Sequence, residues 1–150
     1  HLLDRIAREA ESSPFMKYII PFDRDPSDLV THAVAQSAVN ILHEIDGCCL
    51  AVFSESGKTA KKVSKQRPCH PVYAFISSSA TYNRLALIWG ITPMYIPNID
   101  SPQRLITSSE NLLQEKNLVA KGDLVVFVIG MGLKEGSTNV IKIHRVGYED

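Results

Sequence analysis

Cys49-Leu50-Ala51-Val52-Phe53-Ser54-Glu55-Ser56-Gly57-Lys58-Thr59-Ala60 carries the chain from one structural period to another. The run 48–53 is apolar throughout and reads as a buried strand. It breaks into small hydroxyl residues and a glycine, and a basic amphipathic stretch follows over 58–65. That is the strand–turn–helix layout in which backbone N–H groups and Ser/Thr hydroxyls converge on an anion at a helix N-terminus.

Outward from this unit the alternation continues. Strand 48–53 leads to helix 58–66, and strand 72–76 to helix 80–89, stopped by Gly90. A short strand 93–96 leads to helix 102–116. Lys121-Gly122-Asp123 then turns into 124–129, whose unbroken apolarity implies burial on both faces, as in the middle of a parallel sheet. Segment 139–146 alternates and reads as a half-exposed edge strand. The fold class expected is α/β: a three-layer α/β/α sandwich around a mostly parallel five-stranded sheet with an antiparallel edge strand.

Before the first strand, Asp25-Pro26-Ser27-Asp28 carries the marks of a helix start, with Asp25 as N-cap and Pro26 at the first helical position. Leu29, Val30, Ala33, Val34, Ser37, Ala38, Ile41, Leu42 and Ile45 then form the expected apolar stripe, ending at Gly47. Leu2, Leu3, Ile6 and Ala10 recur at helical spacing at the start of the chain, and 12–24 reads as a linker.

The chain has 150 residues, enough for one domain that buries roughly 68–70% of its unfolded surface. Sixteen basic residues balance sixteen acidic ones, so no global field favours nucleic acid or an anionic membrane. No apolar run approaches the ~20 residues that span a bilayer. Neither a signal peptide nor a transit segment is visible. A start at His1 suggests a fragment or a processed piece. Cys48, Cys49 and Cys69 lack metal-ligand spacing, and an odd count without a disulfide framework fits a reducing cytoplasm.

Gly57-Lys58-Thr59 invites comparison with a P-loop, but that motif needs a glycine where Val52 stands. A smaller anion cradle remains, with Ser54, Ser56 and Thr59 as hydroxyl donors, Gly57 for close backbone approach and Lys58 as counter-charge. On residue types alone, a plain helix capped by Ser56 reads equally well. A second glycine-rich loop, 130–139, follows the most apolar strand. In an open α/β sheet ligands gather at the carboxyl ends of the strands, so Lys134 with Gly136, Ser137 and Thr138 would form an opposite wall. A simple hairpin connection is the alternative. Lys58, Lys61, Lys62 and Lys65 read as a solvated basic face. The histidines and carboxylates form no catalytic set.

Ser54-Glu55-Ser56-Gly57-Lys58-Thr59-Ala60, then Val63 and Arg67-Pro68, resembles the Ser-Gly-basic-hydroxyl-Ala signature of the pyruvate kinase C-terminal domain. Other stretches agree in order: Ile6 to Glu11, His32-Ala33-Val34 to Ala38, Asn83-Arg84-Leu85 to Pro93, Lys121-Gly122-Asp123, and Gly136-Ser137-Thr138-Asn139.

The resemblance implies a regulatory and oligomerisation domain of a cytoplasmic glycolytic enzyme. Residues 1–24 would be the end of a preceding barrel helix plus a linker, and 25–150 the domain itself. The catalytic barrel, with its phosphoenolpyruvate, ADP, Mg²⁺ and K⁺ sites, would lie outside this chain, which alone should be inactive and hold no cofactor. Partners would be that barrel, the other subunits of a homotetramer, and a phosphorylated sugar or nucleotide effector. The effector-phosphate pocket would be Ser54, Ser56, Gly57, Lys58 and Thr59, closed by the loop carrying Lys134, Gly136, Ser137 and Thr138.

Glu55 stands where sugar-bisphosphate-activated relatives often carry a basic residue, and a carboxylate there repels a dianion. A stand-alone phosphometabolite-binding protein of the same fold is the rival reading. A phosphate-ester enzyme would need a general base near Gly57, and the sequence offers none.

Overall fold

The computed structural model describes residues 2–13, 29–97, 101–130 and 138–148. In chain order these form α1 (Leu2–Ser12), α2 (Leu29–Glu44), β1 (Cys49–Phe53), α3 (Lys58–Lys65), β2 (Val72–Ile76), α4 (Ser79–Leu85), β3 (Ile91–Tyr95), α5 (Pro102–Glu115), β4 (Leu124–Gly130) and β5 (Thr138–Arg145). The strands make one sheet in the order β3-β2-β1-β4-β5. All pairings are parallel except β4 with β5, which is antiparallel. The expected five-stranded, mostly parallel sheet with an antiparallel edge is the observed one.

Successive strand side chains point to opposite faces, and that period divides the core in two. Leu50, Val52, Val72, Ala74, Val126 and Val128 meet Ala35, Ala38 and Leu42 of α2 and Ala60 and Val63 of α3. Cys49, Ala51, Tyr73, Phe75, Val125 and Phe127 meet Ile106 and Leu113 of α5. β1, β2 and β4 are thus covered on both sides, which is why they read as continuous apolar runs.

Several local expectations need correction. In α2 the buried face is Thr31, Ala35, Ala38 and Leu42, while Leu29, Val30, Ala33 and Ser37 face solvent. Apolar residues cover most of this helix, so the sequence stripe admitted more than one rotation. Its expected start at 25–28 lies outside the described residues. Its end is closed by Gly47 N–H donating to the Leu42 carbonyl at 2.9 Å, with Asp46 rather than a glycine in the left-handed region. Gly47 is required for space instead, because a Cβ there would meet Leu42 Cδ1 at 2.6 Å.

Helix 80–89 was expected to reach Trp89, but α4 ends at Leu85. The next turn tightens, with Leu87 and Ile88 N–H donating to the carbonyls of Arg84 and Leu85. That shortening starts β3 at Ile91, two residues before the expected 93. Pro93 cannot donate to a ladder, and an edge strand tolerates it. Lys62 is 9% exposed, so the basic face of α3 is solvated only in part.

The edge strand β5 is tied to α5 through one carboxylate. Glu110 Oε2 meets His144 Nε2 at 2.8 Å, and Glu110 Oε1 accepts the Gly147 N–H at 2.6 Å. His144 is buried and packs edge-on against Phe127. Glu110→Ala removes both acceptors at once and is expected to cost about 1–3 kcal/mol, read from urea unfolding. Glu110→Gln, which keeps one acceptor oxygen, should lose less.

Candidate functional site

The sheet order places a reversal between β1 and β4: β2 and β3 continue to one side and β5 to the other. Crevices at the carboxyl ends of such strands are the usual ligand sites of open α/β sheets. β1 and β4 run parallel with Val52 beside Val128, so the loop after Phe53 and the connection after Gly130 leave from the same end. Of the expected opposite wall, Lys134, Gly136 and Ser137 lie outside the described residues. Thr138 opens β5 across from Gly130.

The β1–α3 loop is built as follows. Ser54 continues the β1–β2 ladder, its N–H donating to the Phe75 carbonyl at 3.3 Å, and the residue is buried. Glu55 is exposed and Ser56 half-buried. Gly57 has φ 81° and ψ −2°, left-handed, and stands directly before α3 as its N-cap. The N-cap position thus falls on a residue without a side chain, and not on Ser56, the cap residue open on sequence grounds. Lys61 N–H reaches back to the Gly57 carbonyl at 3.1 Å, starting the helix ladder. Thr59 is 4% exposed, whereas Lys58 is exposed.

Gly57 answers two constraints together. Its backbone needs positive φ, and an added Cβ would meet Thr81 Cγ2 and Leu85 Cδ2 at 3.2 Å each. α4 is therefore the floor beneath the turn. Thr81 in turn accepts a hydrogen bond from Arg84 Nη2 at 3.0 Å. This packing of loop on α4 was not visible in the sequence, where the two stretches are separate.

No buried side-chain nitrogen or oxygen among the described residues lacks a partner. An anion at this turn would therefore be met by exposed or backbone groups: the Lys58 ammonium and the start of α3, at the positive end of the helix dipole. The exposed Glu55 carboxylate on the same loop opposes a second negative charge.

Chemistry beyond holding an anion finds little support. Among the described residues no cluster of His, Cys, Asp and Glu fits a metal ion. Burial raises the Cys49 thiol far above its ordinary pKa and the Cys48 thiol to a lesser degree, with the Asp123 carboxylate adding to both. Both stay protonated and serve as packing. No helix among the described residues is long and apolar enough to cross a membrane.

Comparison with known proteins gives one consistent result. The family described as "Pyruvate kinase, alpha/beta domain" matches residues 32–144. A pyruvate kinase from Geobacillus stearothermophilus is 32% identical over 124 residues, covering 82% of this chain and 21% of the relative. One from Sporosarcina psychrophila is 31% identical over 147 residues, covering 97% of this chain and 25% of its own. The chain thus spans only a minor part of these curated relatives. A crystal structure of a pyruvate kinase from Cryptosporidium parvum superposes with TM-score 0.73 at 25% identity, over 85% of this chain and 24% of that one. The family match runs from within α2 through all five strands to His144 in β5, and so includes the β1–α3 turn: the chain belongs to the pyruvate kinase alpha/beta domain family.

Proposed function

We propose that this chain is the regulatory and oligomerisation part of a cytoplasmic pyruvate kinase, and that its β1–α3 turn holds the phosphate of a small effector. Residues 25–150 make the regulatory unit, and 1–24 join it to a catalytic barrel that transfers phosphate from phosphoenolpyruvate to ADP. Ser54, Ser56, Gly57, Lys58 and Thr59 form one wall of the pocket, and Lys134, Gly136, Ser137 and Thr138 the other. The exposed edge of β5, with Ile143 46% exposed, suits a contact between subunits of a homotetramer.

One observation carries the effector reading. A left-handed Gly57, with no side chain to cap the helix, stands directly before α3 and beside the lysine Lys58. The start of a helix opens towards an acceptor with the positive end of its dipole, and a phosphate oxygen suits that position.

Thermal unfolding with a hexose monophosphate, AMP or fructose 1,6-bisphosphate tests this. A ligand at ~100 times its dissociation constant adds about 2.7 kcal/mol, several degrees for a domain of this size. Lys58→Ala is expected to weaken binding about 10- to 100-fold through the lost charge-assisted contact. Glu55→Lys should strengthen bisphosphate binding more than monophosphate binding. An undiminished shift in Lys58→Ala would move the phosphate site elsewhere.

A further inference from the structure

Trp89, the single tryptophan of the chain, lies in the turn between α4 and β3 and bridges two elements far apart in sequence. On one side it is held by the C-terminal end of α3. Ser64 Oγ donates to the Trp89 carbonyl at 2.6 Å. The Arg67 guanidinium lies 4.3 Å from the ring centroid, in cation–π geometry. Arg67 itself has φ 50°, a left-handed backbone uncommon for a residue with a side chain, and it follows directly on the C-cap of α3. On the other side, the indole N–H donates to Glu11 Oε1 on α1 at 2.7 Å.

α1 buries none of its residues. An isolated helix of this length has little stability of its own in water, so a charge-assisted bond at its last turn weighs heavily on its position. α3 is a short rod whose N-terminus stands at Gly57 and whose C-terminal end grips Trp89. Its eight residues span about 12 Å and are joined by one hydrogen-bond ladder.

We propose that Trp89 is a joint between α3 and α1: the end of α3 holds the Trp89 backbone through Ser64 and its indole through Arg67, and the indole N–H holds α1 through Glu11. A displacement of α3 is thereby passed to a segment that α3 does not itself touch through these residues. Carriage of an effector signal along this route rests on the phosphate reading above. The joint itself is tested without any ligand, so a failed titration and a failed joint are told apart.

The test is hydrogen exchange of the α1 amides in the full chain, with circular dichroism confirming that each variant is folded. Trp89→Phe keeps a ring under Arg67 but has no donor, and Glu11→Ala has no acceptor. Both are expected to speed α1 exchange about five- to tenfold, while Glu11→Gln, whose amide oxygen still accepts, stays near wild type. The discriminating variants are Ser64→Ala and Arg67→Ala. They are expected to speed α1 exchange about threefold and to shift the Trp89 emission, with Arg67→Lys closer to wild type. Unchanged α1 exchange in Ser64→Ala and Arg67→Ala overturns the joint, leaving at most a tether between Trp89 and Glu11. Unchanged exchange in Trp89→Phe overturns it outright.

Discussion

Phe127→Ala is expected to destabilise the fold by about 3–5 kcal/mol, the largest loss foreseen for a single side chain here. Phe127 sits in the middle of β4, paired with β1 on one side and β5 on the other, and is 1% exposed. Its ring stacks near-parallel on Phe53, 12° between planes and 6.0 Å between centroids, and meets His144 edge-on at 5.9 Å. Truncation removes transfer energy and leaves a cavity that strands fixed by ladders on both sides cannot close. It also withdraws the apolar wall of the His144–Glu110 contact. Urea unfolding should show a lower midpoint with an unchanged slope, the mark of altered stability rather than an altered unfolded state. A loss below about 1.5 kcal/mol would mean that α5 collapses into the space, contrary to a core with fixed layers.

Gly57→Val is expected to act on stability and binding together. A β-branched residue at φ 81° carries the left-handed penalty of about 1–2 kcal/mol. Its Cβ would press on Thr81 and Leu85 at 3.2 Å, adding about 1–3 kcal/mol of overpacking. Relief takes a shift of the Thr81 and Leu85 side chains by a few tenths of an ångström, or a lift of the α3 N-terminus off α4 that would re-aim its N–H groups. Calorimetric titration with a phosphorylated ligand should therefore show binding lost in Gly57→Val, even at temperatures where the variant is folded. Gly57→Ala should lie between it and wild type. If Gly57→Val stays as stable as wild type, the turn is not constrained as described.

The legibility of the chain followed what each signal depends on. β1, β2 and β4 were readable because burial on both faces demands unbroken apolarity, a property of sequence alone. β5 was readable as a strand from its alternation, but not its covered side chains: His144 is buried, Ile143 is exposed, and Val140 and Ile141 pack against opposite halves of the core. The rotation of α2 was not, since apolar residues extend beyond the face that Thr31, Ala35, Ala38 and Leu42 turn to the sheet. Only the packed neighbours decide that orientation. Likewise, the end of α4 depends on where β3 must begin, and the burial of Lys62 on what packs against α3. At the site, the turn chemistry of Ser54 to Thr59 was visible, and the left-handed Gly57 agrees with it. The α4 floor under Gly57 and the Glu11–Trp89 bond, 78 residues apart, leave no local trace.

The proposed phosphate cradle at the β1–α3 turn is tested most directly by following backbone amide resonances of the isotope-labelled chain during titration with a hexose monophosphate. The amides of Gly57, Lys58, Thr59 and Ala60 are expected to move first and saturate together. Shifts that cluster elsewhere, or no shifts at millimolar ligand, would contradict it.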